Sequence, residues 1–146
     1  MRLYCLKQLA LWIWQLPQHL IGLTLICLLK ADKREWKHNE IKIAYWQFIP
    51  KSRFGNFISA ISLGEYIILK PRSDYDKTIP HEYGHSIQSR AWGPLYLPAV
   101  GVPSAVFNNL WDRLFHKDWT SARRHDWYYN RYPEKQADLL GGVVRG

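Results

Sequence analysis

The sequence predicts an α+β fold in which apolar helices come first, a small antiparallel sheet follows, and two polar helices supply the functional groups. Three observations support this class. Residues 9–29 form an apolar window, and β-branched and aromatic stretches lie between 41 and 69. Two later segments, 81–91 and the stretch that begins at Pro133, place polar side chains at helical spacing.

Composition and charge narrow the class of protein. Hydrophobic residues make up 47% of the chain and aromatic residues 15%, which suits one compact unit and argues against disorder. We divide this unit into an apolar segment with a basic flank at 1–37 and a domain at 38–146. The net charge of +8 comes without a nucleic-acid motif, so we expect a membrane surface as partner and no specific nucleic acid. Cys5 and Cys27 have no metal-ligand spacing and predict no disulfide framework.

The apolar window at 9–29 has the length of one membrane span. Gln15, Pro17, Gln18 and His19 interrupt it, and such residues are costly or disruptive in lipid. Three structures fit the pattern. They are a kinked transmembrane helix, a helix–break–helix pair in the bilayer interface with its tryptophans at headgroup level, and two buried helices of a soluble core.

A basic run at 30–37 follows the apolar window, and no small-x-small cleavage site does. Basic flanks stay on the cytoplasmic side of a membrane. We therefore expect a membrane-associated protein on the cytoplasmic face, with a cytoplasmic protein as the alternative.

Three strands are predicted between the basic run and the first polar helix. Residues 41–49, 54–63 and 65–69 are rich in β-branched and aromatic side chains, and Gly64 separates the last two. Strands this close in sequence predict a small antiparallel meander.

The sequence His-Glu-x-x-His at 81–85 predicts a zinc site. On a helix, His81 and His85 lie one turn apart on the same face and can bind one ion. Glu82 is placed to take a proton from a metal-bound water. Thr78 is the expected N-cap of this helix, and Gly93 is expected to end it. The alternative is a surface helix whose histidines bind nothing.

A catalytic zinc ion usually has three protein ligands, so a third ligand is needed. Pro133 is expected to open a helix on which Glu134 and Asp138 share one face. Glu134 could bind zinc while Asp138 accepts the free N–H of a zinc-bound histidine. His125 is the rival third ligand, and a solvated acidic face is the alternative for the two carboxylates.

His-Glu-x-x-His followed by Glu-x-x-Ala-Asp resembles the gluzincin branch of the zincin metallopeptidases. The resemblance implies a zincin-like minidomain that hydrolyses a peptide or protein substrate. It also implies Zn²⁺ held by His81, His85 and Glu134, with Glu82 as general base and Asp138 as the residue that orients a ligand. Residues 88–97 are also similar to small bacterial membrane-associated zincin-like proteins.

The resemblance implies two further features. Gluzincins usually have a Tyr or His after the third ligand that donates to the oxyanion, but none follows Glu134 here. The candidates for this role lie upstream and are His125, Tyr128, Tyr129 and Tyr132.

Zincins also hold the substrate backbone on an edge strand. Its candidate is the strand before the helix, which contains Gly64, Glu65, Tyr66, Ile67 and Ile68, and an ordinary core strand is the alternative.

Three functions fit these patterns. The first is a zinc-dependent metallopeptidase with Glu82 as base, the second a non-catalytic zinc-binding scaffold at the membrane, and the third a basic lipid- or nucleic-acid-binding protein.

Between the polar helices, 93–103 is apolar and broken by prolines, which suits a cleft wall, a membrane-dipping loop or a buried connector. A helix is expected to begin at Pro103.

Overall fold

The structure, a computed structural model, describes residues 2–33, 42–45, 60–70 and 75–145 and confirms the α+β class. Its elements, in chain order, are α1 (Arg2–Trp14), α2 (Leu16–Leu28), β1 (Asp32–Lys33), β2 (Lys42–Tyr45), β3 (Ala60–Leu63), β4 (Tyr66–Leu69), α3 (Tyr75–Trp92), α4 (Trp111–Phe115), α5 (Ser121–Tyr129) and α6 (Glu134–Gly141). A 3₁₀ turn (Gly93–Leu95) and two segments with wider π-helical bonding (Leu97–Gly101 and Pro103–Leu110) join α3 to α4.

The four strands form one sheet in the order β1-β2-β4-β3. The β3–β4 hairpin is antiparallel, as predicted, and turns at Gly64 with a φ of 65°. The prediction of a purely antiparallel meander is wrong, because β2 runs parallel to β4. β1, which comes from the basic run and was not predicted, adds antiparallel to β2. The predicted strand residues 41, 46–49 and 54–59 lie outside the described part of the chain.

β4 is the centre of the core, since all four of its residues are buried. Its alternating side chains face opposite sides of the sheet. On one side Ile67 and Leu69 pack against Ile79 of α3. On the other side Tyr66 and Ile68 pack against Ile26 of α2. A strand covered on both faces needs apolar side chains at every position, which explains its continuous apolar run.

The N-terminal helices are a bent pair, α1 and α2, which meet at an angle of 80°. Within the described residues no single helix is long and apolar enough to cross a bilayer, although this bent pair reaches the necessary length and composition. The break falls at Gln15, and Pro17 lies in the first turn of α2, where its missing N–H costs no hydrogen bond.

The polar residues of the apolar window face the protein interior. Gln15, Gln18 and His19 are each at most 1% exposed. Ser89 of α3 donates to Gln15 Oε1 over 2.8 Å, and Gln18 Nε2 donates to the carbonyl of Gly93. His19 accepts from the Glu65 backbone N–H at 3.1 Å, so its other ring nitrogen donates to a carbonyl of α1. These bonds offset most of the cost of burying the three side chains, although Gln18 Oε1 has no hydrogen-bond partner among the described residues.

The helix that carries His-Glu-x-x-His starts earlier than predicted. α3 is already helical at Tyr75, so Thr78 is not its N-cap and Pro80 lies inside the helix. The predicted end is confirmed, because Gly93 adopts a φ of 51° directly after Trp92.

The connection after α3 forms a wall of the cavity described below. Tyr96 and Val100 are buried in it, and the predicted helix from Pro103 is present. Asp112 and His116 are buried at the end of this wall. Arg124 binds both carboxylate oxygens of Asp112, so α4 and α5 are joined by an ion pair.

Candidate functional site

The two helices that carry the predicted ligands approach each other closely because glycine lies at both contact points. A Cβ atom at Gly84 of α3 would overlap the backbone carbonyl of Ala137 in α6. A Cβ atom at Gly141 would overlap the carbonyl of Pro80. Gly142 then ends α6 in the left-handed conformation, with a φ of 72°. The first turn of α6 therefore faces the His-Glu-x-x-His turn of α3.

His81, His85 and Glu134 converge to form a group that could hold a metal ion. One potential ligand atom from each residue lies within 4.8 Å of the other two. Glu134 Oε2 is 3.1 Å from His81 Nε2 and 3.2 Å from His85 Nε2. All three side chains are buried, at 1% to 6% exposure. His125, the rival third ligand, is exposed on α5 and is not part of the group.

Each histidine is oriented by an acceptor on its outer nitrogen. His81 Nδ1 lies 2.7 Å from Asp138 Oδ1, and His85 Nδ1 lies 2.7 Å from Gln88 Oε1. A carboxylate and an amide oxygen can only accept, so both Nδ1 atoms donate and both Nε2 atoms face Glu134. Asp138 thus lies where it can orient the His81 ring.

Sequence reasoning missed both Gln88, which is the acceptor for His85, and Arg145, which holds the acceptor Asp138 in place. Gln88 Nε2 donates to Pro133 O at 3.1 Å and to Gln136 Oε1 at 2.9 Å, which ties α3 to α6. Arg145 binds both oxygens of Asp138, at 2.5 and 2.8 Å. The spacing of Gln88, three residues after His85 on the same helix, was a usable signal. Nothing local in the sequence indicates Arg145.

The Nε2 atoms of His81 and His85 and the carboxylate of Glu134 are better suited to bind a metal cation than to share protons with one another. With each Nδ1 already donating, a proton on each Nε2 would make both His81 and His85 imidazolium ions, side by side in a buried site. One cation shared by two neutral imidazoles and a carboxylate avoids this repulsion. Glu134 Oε1 is also buried without a hydrogen-bond partner of good geometry among the described residues, although Ser104 is near enough to lower the carboxyl pKa. A second carboxylate oxygen free to ligate is consistent with a metal.

The three groups shift each other's protonation. Burial alone would lower the pKa of His81, but hydrogen bonds with Asp138 and Glu134 outweigh burial and raise it to about 9. Burial would raise the pKa of Glu134, yet hydrogen bonds with His81 and His85 hold it below its ordinary value. Glu82 differs, because burial raises its pKa and the two histidines only partly offset this.

The group lies in a cavity of about 600 Å³. Glu82 lines this cavity together with His81, His85 and Glu134. The remaining walls are mostly apolar and come from β3 and from the 97–110 segment. The cavity is therefore large enough for several side chains and places one buried carboxylate, Glu82, beside the potential ligand atoms.

The strand along the cavity is β3 and not the predicted one. All four β3 residues line the cavity, and β3 is an edge of the sheet formed by the described strands. The candidate substrate strand was wrong, because Tyr66, Ile67 and Ile68 lie in β4, which is paired on both sides. Gly64 and Glu65 form the turn before β4. Their backbone cannot accept an added strand along its length.

Of the predicted oxyanion donors, Tyr128 and Tyr129 line the cavity, whereas His125 and Tyr132 do not. Tyr132 instead donates its hydroxyl to the carbonyl of Ala99 at 2.9 Å. Burial raises the pKa of both Tyr128 and Tyr129, so each keeps its phenolic proton at neutral pH.

Tyr96 also lines the cavity and was not predicted; it is buried, whereas Tyr128 and Tyr129 are half-buried. The Tyr96 hydroxyl donates to the Ser62 carbonyl of β3 at 3.2 Å. Burial raises its pKa well above the ordinary value.

The geometry is thus that of a buried His-His-Glu group on two helices, compatible with a metal site and set in an apolar cavity. Comparisons of the chain with protein-family models, curated proteins and solved structures gave no match.

Proposed function

We propose that the protein is a zinc-dependent peptidase that hydrolyses a peptide bond in the cavity between α3 and α6. One observation carries the proposal: His81, His85 and Glu134 converge beside a further buried carboxylate, Glu82, at the floor of an apolar cavity. Two histidines and one carboxylate are a ligand set that zinc takes in hydrolytic sites. Bound there, zinc would acidify a water molecule and polarise the substrate carbonyl.

Glu82 is the proposed general base. It is one residue after the first ligand, so its carboxylate shares the cavity with the ligating nitrogens without being required as a ligand. Burial raises its pKa, which makes the carboxylate a better proton acceptor near neutral pH. It would take the proton of the attacking water and later pass it to the leaving amine.

Tyr128 and Tyr129 are the proposed donors to the oxyanion. Both line the cavity and keep their protons at neutral pH. The ring edge of Tyr129 packs on His81 with ring centroids 5.3 Å apart, and the Arg145 guanidinium lies over its face. These contacts fix the ring beside the ligands. The β3 edge would pair with the substrate backbone.

Two measurements test the proposal. The first is metal content of the purified protein, for which we expect about one zinc per chain and its loss in His81→Ala and Glu134→Ala. The second is turnover of a peptide library by Glu82→Gln, which should keep its zinc and lose activity by a factor of at least about 100. Asp118→Asn removes an exposed carboxylate and is the matched control. A wild-type protein free of zinc, or an active Glu82→Gln, contradicts the peptidase.

A non-catalytic zinc-binding scaffold is the second candidate. The ligands come from α3 and α6, helices joined by backbone contacts at Gly84 and Gly141, so a bound cation would brace an existing helix pair. In that case zinc removal should destabilise the fold, and Glu82→Gln should leave the biological function intact. Loss of function in a folded, zinc-loaded Glu82→Gln protein decides against the scaffold.

A further inference from the structure

The N-terminal helices leave large apolar side chains exposed, and α2 at the same time buries polar ones. On α2 the buried face holds Gln18 and His19, at 0% exposure. Its outer face holds Leu20, Ile21 and Leu28, which are 54%, 41% and 74% exposed. In a water-soluble helix the apolar side chains turn inward and the polar ones outward. Ile26 does pack in the core, but Leu20, Ile21 and Leu28 are left uncovered while Gln18 and His19 are buried.

The helix before it is even less covered. None of the side chains described on α1 is buried, and Leu9 and Ile13 are 56% and 58% exposed. A 13-residue helix of this composition, with none of its described side chains buried, gains little from the protein core. Its stability must come from another apolar environment or from further contacts.

A second uncovered apolar face lies next to the first. Phe107 and Leu110, in the π-helical segment before α4, are 55% and 42% exposed. Leu110, Val106 and Ile21 of α2 are each both exposed and part of the cavity lining. The α2 face and the second face therefore meet at the cavity, through Ile21, Val106 and Leu110. We call these apolar faces together the outer apolar surface and define it by Leu9, Ile13, Leu20, Ile21, Phe107 and Leu110.

The charge next to this surface is basic. Residues 2–31 contain three basic residues and no acidic one. Near the second face the exposed Lys117 is balanced by the exposed Asp118, and the buried Asp112 pairs with Arg124, so the basic excess comes from the N-terminal segment. An apolar surface bordered by cations complements a leaflet that carries anionic headgroups.

We propose that the outer apolar surface docks on a phospholipid bilayer with anionic headgroups and that the mouth of the cavity opens towards that bilayer. This inference concerns binding and goes beyond the proposed hydrolysis. A substrate would then reach the cavity from the lipid side, where apolar polypeptide segments are concentrated. Gln15 and Gln18 are buried and bonded to Ser89 inside the protein, so docking brings neither amide into contact with lipid.

The first test is flotation of the full-length protein with vesicles of phosphatidylcholine, with and without phosphatidylglycerol. We expect binding to both, at least about tenfold tighter with the anionic lipid and weakened by salt. Leu9→Ser and Leu20→Ser should each reduce binding by roughly tenfold. Leu139→Ser, which alters a leucine of α6 that is 73% exposed and lies outside the surface, should bind like the wild type.

The second test uses the chain's own cysteines as probe sites. Cys5 and Cys27 are its only cysteines, and both are exposed. An environment-sensitive fluorophore on Cys27, in a Cys5→Ser background, should shift to the blue when vesicles are added and be quenched by lipid-borne quenchers. A label at Val106→Cys, in a cysteine-free background, should respond alike, and a label at Lys135→Cys should not.

Three results would overturn the proposal. One is wild-type protein that stays with the aqueous phase at every lipid composition. Another is a label at position 135 that responds as strongly as labels at 27 and 106. The third is a stable dimer in solution that shields Cys27 from labelling, because the surface would then be covered by a second copy. None of these readouts depends on zinc or on turnover, so the peptidase proposal is tested separately.

Discussion

Gly84 lies where α3 comes closest to α6, and replacing it with alanine tests how the ligand group is assembled. A Cβ atom there would meet the Ala137 carbonyl far inside the 3.0 Å that real Cβ contacts respect. The obstacle is backbone on a packed helix, so no side chain can swing away to make room. α6 would have to move away from α3 by about 1 Å.

Two energy terms compete in Gly84→Ala. Alanine gains about 1 kcal/mol over glycine in a helix interior. Overpacking a rigid contact costs about 1–3 kcal/mol, and more where backbone must move. We therefore expect the metal-free protein to lose about 2 kcal/mol of unfolding free energy.

The effect on metal binding should be larger than the effect on stability. Metal–ligand distances tolerate errors of about 0.2 Å, and the expected shift carries Glu134 several times further. Zinc affinity should fall at least about tenfold, as happens when ligands lose their orientation. Urea unfolding in chelator measures the first quantity, and competition with a chromophoric chelator measures the second.

Gly101→Ala is the control for this experiment. A Cβ atom at Gly101 would have its nearest neighbour at 3.7 Å, an ordinary contact. Its stability and zinc affinity should stay close to those of the wild type. If Gly84→Ala unfolds and binds zinc like Gly101→Ala, then α6 is not positioned by the glycine contact and the reasoning fails.

Three further predictions follow from the site. The pKa of His81 is raised to about 9. In the metal-free protein, the stability that comes from its protonated form is therefore fully present below about pH 6.5 and is lost by about pH 9, while zinc affinity rises over the same range. Unfolding free energy in chelator and zinc affinity, each measured against pH, should show opposite slopes. Gln88→Ala should weaken zinc binding by about 10- to 100-fold, because His85 loses its orienting acceptor, whereas Gln136→Ala removes only the bond behind it and should cost less. Arg145→Met should lower unfolding free energy by about 1–3 kcal/mol, since the carboxylate it pairs with stays mostly buried; chemical denaturation with Lys135→Met as an exposed control would reveal it, and equal values for the two variants would argue against the ion pair.

The ligand group was predictable from sequence because its geometry is local. Helical spacing alone places His81 with His85 on one face and Glu134 with Asp138 on another. Helical spacing does not predict that the two faces contact each other in the folded protein. That expectation came from the resemblance of the two motifs to those of gluzincins. Gln88 was recoverable from its position on the same helix, but the role of Arg145 depends on a contact made after the last helix has ended.

The sheet was less predictable, since strand order depends on pairings between distant segments. The composition of β4 fits an edge strand that pairs with a substrate as well as a central strand of the sheet. Only the observed parallel pairing with β2 shows that β4 is a central strand. Propensity also placed the start of α3 at Thr78, because Pro80 suits a first turn; tertiary packing extends the helix through that proline. The buried glutamines of α2 could not be distinguished from residues in lipid, because burial in protein and burial in bilayer favour the same sequence pattern.

Ile26 of α2 closes one face of β4, and this has a practical consequence for making the protein tractable. Apolar leading segments are commonly trimmed to obtain a chain that needs no detergent. Here removal of these helices would expose Tyr66 and Ile68 to solvent. It would also remove Gln15, the hydrogen-bond partner of Ser89. The shortened chain would expose half of its central strand and should aggregate. α2 therefore belongs to the hydrophobic core, and experiments on the cavity require a chain that keeps it.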